Sequence, residues 1–148
     1  MTNQEKKEYL KQINNIDRRV DYLLTAIEKE KVKRDRLLSI SVNCENDGTQ
    51  NGSNSNGTES KVMAYAEMGE YIESLQEDIQ KLYKLKRIIK AIINNVSDAT
   101  CREILFRKYI NAENDDDICS VIGYSKSQYW KLHGDALTAV NIGQNRTE

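Results

Sequence analysis

The sequence predicts an all-α protein, with a long antiparallel coiled-coil helical hairpin followed by a small helix-turn-helix domain. Its 148 residues contain no proline, and proline interrupts helix interiors. Two long segments carry apolar residues at steps of three and four, which is the periodicity of a coiled-coil helix. Towards the carboxyl end, a short helical pattern, a glycine and a second capped helical pattern follow one another. We therefore expect two domains, a hairpin over residues 1–96 and a helix-turn-helix domain over residues 97–148.

The first predicted helix runs from Gln4 to Ile40. Its apolar residues keep the heptad rhythm as far as Ile27, after which Glu30 and Arg34 occupy the next two core places. A strand would need apolar residues at every second position, and that pattern is absent. The apolar positions of this helix are Ile13, Ile16, Val20, Leu23, Ile27 and Leu37.

A polar segment, residues 43–60, follows the first helix and reads NCENDGTQNGSNSNGTES. Its five Asn, three Gly, three Ser and two Thr leave too little apolar surface to offset the entropy of ordering the chain. The composition therefore predicts a flexible loop between the two long helices. A solvated tether is favoured over a binding site hidden in this loop.

The second long helix has a more regular apolar seam, which spans roughly five heptads. Lys86 alone interrupts this seam, and additional apolar positions widen it, so a further helix from this chain or another copy is expected to pack there. We expect a homodimer or higher homo-oligomer through the coiled coil, with Lys86 and Arg34 as candidates to select register or oligomeric state. The seam consists of Tyr65, Met68, Ile72, Leu75, Ile79, Leu82, Ile89, Ile93 and Val96, and the widening positions are Met63, Leu85, Ile88 and Ile92.

Two short helices are predicted at the start of the C-terminal domain. Ser97 is expected to cap the first, with Asp98 in its first turn. A polar break over residues 111–114 ends it, and the acidic triplet 115–117 is expected to cap and charge the start of the second. The predicted buried positions are Cys101, Ile104, Leu105 and Tyr109 in the first helix and Ile118, Val121 and Ile122 in the second.

The spacing of a few residues after this break fits a helix-turn-helix. Cys119 is the small residue that lets the second helix approach the first, and Gly123 permits a tight turn at positive φ. Ser125 is expected to cap the second helix, and Tyr129 to face back onto the first. An ordinary helical corner is the structural alternative, because such a corner also needs a small residue and a glycine.

Residues 104–110 (ILFRKYI) and 116–137 (DDICSVIGYSKSQYWKLHGDAL) resemble the promoter-reading region-four domain of sigma-70-type factors. The similarity is closer to the ArpU/RinA-like late transcription regulators of phages and prophages in Gram-positive bacteria. It implies DNA binding and transcription regulation, most simply activation of late genes. The resemblance covers residues 98–140 and rests on the Leu105–Tyr109 helix, the pair Ile118–Cys119 where Ile-Ala is usual, Gly123, Ser125, the pair Tyr129–Trp130 and the pair Ala136–Leu137.

The first residues of the second helix of such a motif face base edges in the major groove. Gln128 can pair with adenine through both its amide atoms, and Lys126 can bind guanine or a phosphate. Trp130 is expected either to contact a thymine methyl or sugar, or to shield the core, and His133 is a further phosphate candidate. The predicted DNA-binding residues are Ser125, Lys126, Ser127, Gln128, Trp130 and Lys131.

The expected partners are double-stranded DNA and a second copy of the chain, with host RNA polymerase as a further candidate. Three scattered cysteines and no apolar leader or membrane-length apolar run predict a cytoplasmic protein. The resemblance implies that the cytoplasm is that of a bacterial host. Residues 97–148 carry 6 basic and 8 acidic residues, a net charge of −2, which is low for a DNA-binding domain. Two alternatives are a phage structural or DNA-packaging adaptor, and an adaptor that binds RNA polymerase.

No cofactor, metal or catalytic site is predicted. The chain has no nucleotide-binding, zinc-protease or hydrolase motif, and no activated nucleophile beside a base can be named. His133 is the single histidine, and a zinc site needs about four ligands. The acidic triplet is read as helix charge rather than a metal cluster, because consecutive residues at a helix start point in different directions. An enzyme is therefore not expected.

Overall fold

A computed structural model describes residues 1–45 and 55–143, and these residues contain helices and no strand. The prediction of an all-α protein is confirmed. The elements are α1 (Asn3–Lys11), α2 (Ile13–Glu45), α3 (Ser55–Asn94), α4 (Ala99–Leu105), a π-helix (Phe106–Ile110), α5 (Asp115–Ile122) and α6 (Lys126–Ala139). None of the described helices combines the length and the apolar character that crossing a membrane requires.

The chain divides into two compact units. One joins Met1–Arg18 to Leu82–Glu148, and the other is Arg19–Lys81. This division differs from the domains predicted from the sequence, which placed all of residues 1–96 together. The N-terminal helix and the end of α3 fall in the unit that contains the C-terminal helices, and within that unit α1 docks onto α6.

In the unit Arg19–Lys81, α2 and α3 run antiparallel, as predicted. The guanidinium of Arg34 lies 3.8 Å from the centre of the Tyr65 ring, and Leu37 lines a small cavity with Lys61 and Tyr65. Residues late in α2 therefore lie beside residues early in α3, as expected for an antiparallel pair. The apolar seam forms the core of this unit, with its buried side chains being Val20, Ile27, Ile72, Leu75 and Ile79.

The charged residues at seam positions are accommodated by specific partners. Lys86 and Asp17 both belong to the unit that joins Met1–Arg18 to Leu82–Glu148, and the Lys86 ammonium lies 2.7 Å from a carboxylate oxygen of Asp17. Arg34 stacks its guanidinium on the face of the Tyr65 ring and forms no ion pair with an acid in the described part of the chain; the stacking is attractive through the ring quadrupole. Lys86 thus has an acidic partner, whereas the buried Nε of Arg34 has no hydrogen-bond partner among the described residues.

The first helix docks on the last one. Leu10 of α1 is fully buried, and the side-chain amide of Asn3 donates to the Thr138 hydroxyl at 3.1 Å. Lys6 donates to the carbonyl oxygens of Leu137 and Thr138 at 3.1 and 3.2 Å. The Leu137 carbonyl also accepts from the Val140 backbone N–H at 3.2 Å. Both carbonyls lie in the last turn of α6, where acceptors outnumber backbone donors, so a cation there adds a donor and complements the helix dipole.

Several element boundaries differ from the sequence prediction. The N-terminal segment is divided at Gln12, between α1 and α2, and α4 is capped by Asp98, whose carboxylate accepts from the Cys101 backbone N–H at 2.9 Å, rather than by Ser97. Residues 43–45 and 55–60 of the predicted loop are helical. The rest of that loop, 46–54, lies outside the described residues.

The widened stripe of α3 is used unevenly. Ile92 is buried in the unit that contains the C-terminal helices, and Leu85 and Ile88 are half-buried. Met63 is 64% exposed. The expectation of a further packed helix therefore suits the end of α3 better than its beginning.

Candidate nucleic-acid interface

Two capped helices and a left-handed glycine form the helix-turn-helix arrangement predicted from the sequence. The Asn114 side chain caps α5 by accepting from the Asp116 backbone N–H at 3.0 Å. Gly123 ends α5 with φ 76° and ψ 23°, a conformation that side chains other than glycine disfavour. Ser125 then caps α6. The acidic triplet follows the cap and occupies the first turn of α5, so it charges this helix start without capping it.

The rear of α6 is held by an apolar cluster. Tyr129, Ile104 and Ile118 are fully buried and form this cluster together. The partly buried side chains packed against it are Cys119, Ile122 and Leu132. Tyr129 thus faces inward as predicted. Val121 was predicted to be buried together with Ile118 and Ile122 of α5, but it is 58% exposed. The buried face of α5 therefore includes Ile118 and part of Ile122 but not Val121.

Beside this cluster, Asp115 links three elements through one carboxylate oxygen. It accepts from the Tyr129 hydroxyl at 2.5 Å and from the Lys108 ammonium at 2.6 Å. Burial alone would raise the pKa of Asp115, but the hydrogen bonds from Lys108 and Tyr129 outweigh burial, so the pKa lies below its usual value. Asp115 therefore remains ionised and ties α6 to α5 and to the π-helix.

His133 belongs to the rear of α6. It is 4% exposed, and its Nε2 lies 2.8 Å from the Tyr109 hydroxyl. Burial, and then the positive charges of Lys108 and Lys7, lower the pKa of His133 to about 4. The interpretation of His133 as a phosphate contact is therefore wrong. Its spacing of four residues after Tyr129 was the sequence signal for an inward position.

The first turn of α6 is exposed, with Ser125, Lys126, Ser127 and Gln128 all open to solvent. Ser125 and Gln128 form a reciprocal cap in which each side-chain oxygen accepts from the other's backbone N–H at 3.3 Å. The Gln128 amide oxygen is thus occupied. Two-atom pairing with adenine would need that oxygen, so Gln128 offers its amide N–H₂ group most readily.

Lys126 has a partner on α5. Its ammonium lies 3.0 Å from a carboxylate oxygen of Asp116, and the two side chains are 64% and 70% exposed. The hydrogen bond to Asp116 raises the pKa of Lys126. The sequence did not predict this pair, because it depends on how α5 and α6 pack.

Trp130 lies at the border between the rear and the exposed side of α6. It is 41% exposed, and its ring meets those of Tyr129 and His133 edge to face at 5.1 and 5.6 Å. The Lys108 ammonium lies 5.0 Å from the ring centre. Trp130 therefore helps to cover the core and also leaves a surface for another molecule, so the two predicted roles are compatible.

Ser127 and Lys131 complete the exposed side of α6, and neither side chain makes a hydrogen bond or ion pair to the residues described. Three apolar side chains that were not predicted at the interface are also exposed in the same domain. They are Phe106, Val121 and Tyr124, with exposed fractions of 39%, 58% and 40%. Tyr124 directly precedes the Ser125 cap. Over the described ranges, no three His, Cys, Asp or Glu side chains are grouped to hold a metal ion.

The fold and the site define an all-α protein whose C-terminal helices present a capped, solvent-exposed helix start on a buried aromatic support. Residues 37–141 match the family DUF1492, described as a protein of unknown function, and the chain belongs to that family. No curated protein matches the chain, and no solved structure does.

Proposed function

We propose that this protein is a sequence-specific transcription regulator that binds double-stranded DNA through the start of α6. The observation that carries the proposal is the exposure of Lys126, Ser127, Gln128 and Lys131 on a helix whose opposite side is anchored by Tyr129. A rigid helix with an open polar leading edge is what insertion into a major groove requires. Buried side chains at these positions would have contradicted it.

The resemblance of residues 98–140 to ArpU/RinA-like regulators supports a more specific proposal. By that resemblance, the protein acts in the bacterial cytoplasm as a phage or prophage regulator, most simply an activator of late genes. Contact with host RNA polymerase would accompany DNA binding, as in the sigma-type domains that the sequence resembles.

Self-association would compensate for the low positive charge of the domain. Two weak DNA-binding modules joined in one dimer bind a double site more tightly than either alone. The unit Arg19–Lys81 carries exposed apolar side chains that a second copy could cover, namely Tyr22, Leu24, Val32, Val62, Met63 and Tyr71. We therefore propose a homodimer, or a higher oligomer, through the antiparallel helices.

A salt titration of DNA binding tests the proposal. Binding to a labelled random-sequence duplex and to duplexes from prophage promoter regions would be followed by fluorescence anisotropy between about 50 and 200 mM salt. We expect binding that weakens as salt rises and a preference for particular duplexes. Size-exclusion chromatography with light scattering would report the oligomeric state, and a monomer would remove the argument from two joined modules.

Gln128→Glu is a useful variant, because glutamate preserves the reciprocal cap with Ser125 while losing the amide donor. We expect stability close to that of the parent, weaker binding to every duplex because of the added negative charge, and reduced preference among duplexes. If no duplex binds at low salt, a DNA-packaging or RNA polymerase-binding adaptor becomes the better explanation.

A further inference from the structure

Asp116, beside the proposed interface, carries a negative charge, which is opposite to the charge that binds a DNA phosphate. Asp116 lies in the first turn of α5, and its carboxylate is paired with Lys126, the first residue of α6. The pair joins the two helices of the helix-turn-helix at its exposed edge. In the free protein, the cation best placed for a phosphate is therefore already bound to an acid of the same chain.

We propose that Asp116 acts as a brake on non-specific DNA binding, by competing with DNA phosphates for the ammonium of Lys126. This inference rests on the proposed function. It assigns Asp116 a role in setting the strength of sequence-independent binding. The resemblance to known regulators does not imply this role.

The exposure of the pair allows this competition. The Lys126 and Asp116 side chains are 64% and 70% exposed, so solvent screens the pair and a phosphate can displace the carboxylate. A buried pair would hold Lys126 permanently. The cost of displacement is small but falls on every duplex.

The cost takes the largest share of the binding free energy where phosphate contacts supply nearly all of it, which is the case for non-specific complexes. A duplex that also offers base contacts holds α6 in the groove by other means. Unfavourable elements of this kind are a recognised way to suppress wrong partners.

The acidic triplet supplies a matched control. Asp117 is exposed and lies in the same turn, but it makes no ion pair to any residue in the described ranges. Asp116→Asn and Asp117→Asn remove the same charge from the same helix start. A difference between them therefore reports the contact with Lys126 and not the net charge of the domain.

The test measures binding of the full chain to a random-sequence duplex at several salt concentrations. We expect Asp116→Asn to raise affinity about threefold, within the range of an exposed ion pair, and to steepen the salt dependence by about one phosphate contact. Asp117→Asn should change both by clearly less. In a Lys126→Ala background, Asp116→Asn should act no more strongly than Asp117→Asn.

Each alternative result is decisive. Equal effects of Asp116→Asn and Asp117→Asn, or a full effect of Asp116→Asn without Lys126, would overturn the brake while leaving DNA binding intact. Absence of binding by the parent chain and every variant at low salt would overturn the proposed function, and the brake with it. Thermal unfolding of each variant would verify that the compared proteins are equally folded.

Discussion

The polar side chains on the two sides of α6 differ in whether they are buried and hydrogen-bonded. On the rear, Tyr129 and His133 are buried, and each has a hydrogen-bond partner on another element, Asp115 and Tyr109 respectively. On the exposed side, Lys131 and Ser127 have no partner in the described part of the chain, and Lys126 has one that solvent can replace. The rear therefore determines where the helix lies, and the exposed side remains available for another molecule.

This difference implies that stability and binding can be changed separately. Substitutions on the rear should destabilise the fold, and substitutions on the exposed side should change binding while stability stays nearly constant. The four predictions below probe this separation.

The largest effect is expected in the apolar cluster. Ile104→Ala removes buried volume beside Tyr129 and Ile118 and should lower the free energy of unfolding by about 2–5 kcal/mol. Urea titration followed by circular dichroism would measure this. Val121→Ala serves as the control, since Val121 is 58% exposed and should change stability by about 0.5 kcal/mol or less. Similar losses for both variants would mean that the cluster is not the support of α6.

The second prediction concerns pH. The folded protein keeps His133 neutral down to about pH 4, whereas the unfolded chain binds this proton near the ordinary value of 6.5. The unfolded state therefore gains a proton first, and stability should fall as pH drops from 6.5 towards 4. The full loss is on the order of 3 kcal/mol. The pKa of Asp115 lies below its ordinary value of 3.8, so protonation of this carboxylate reduces the stability of the fold only as the pH falls below that value.

Urea unfolding at several pH values between about 4.5 and 7 would measure this dependence. His133→Gln should flatten the slope in that window, because the chain has no other histidine and glutamine does not titrate. An unchanged slope in the variant would show that other groups cause the dependence.

The third prediction concerns the link between helices. Asp115→Asn leaves Lys108 and Tyr129 without the carboxylate that both contact, and should cost about 1–3 kcal/mol. Thermal unfolding with Asp117→Asn as control would isolate the contribution of the contacts from that of charge. Equal melting temperatures for the two variants would contradict the role of Asp115.

The smallest effect on stability is expected at Lys131. Lys131→Ala should change the free energy of unfolding by about 0.5 kcal/mol or less, because its side chain is exposed. On the proposed function, the same change should reduce the salt dependence of DNA binding by about one phosphate contact. Anisotropy titrations at several salt concentrations would detect this, and an unaltered dependence would place Lys131 outside the DNA contact.

Much of the candidate interface was predictable, because its signals are local. Ser125 as cap, Gly123 at positive φ and Tyr129 facing inward follow from short-range turn and helix geometry. The position of Gln128 in the first turn predicts a free base-reading side chain, although its oxygen closes the cap. His133 is predicted as a phosphate contact, although its spacing from Tyr129 places both residues on one buried helix face.

The sequence by itself determined the helical class, the antiparallel seam and the capped turn, because apolar periodicity and capping act over a few residues of one chain segment. Only the tertiary structure decided that Lys6 donates to the Leu137 carbonyl at the end of α6, 131 residues away in the sequence. It also decided that Asp115 contacts the buried Tyr129 whereas Asp116 contacts the exposed Lys126. Those contacts depend on the angle and rotation at which helices pack. Neighbouring residues on one helix start therefore acquire different roles, one supporting the fold and one facing the proposed interface.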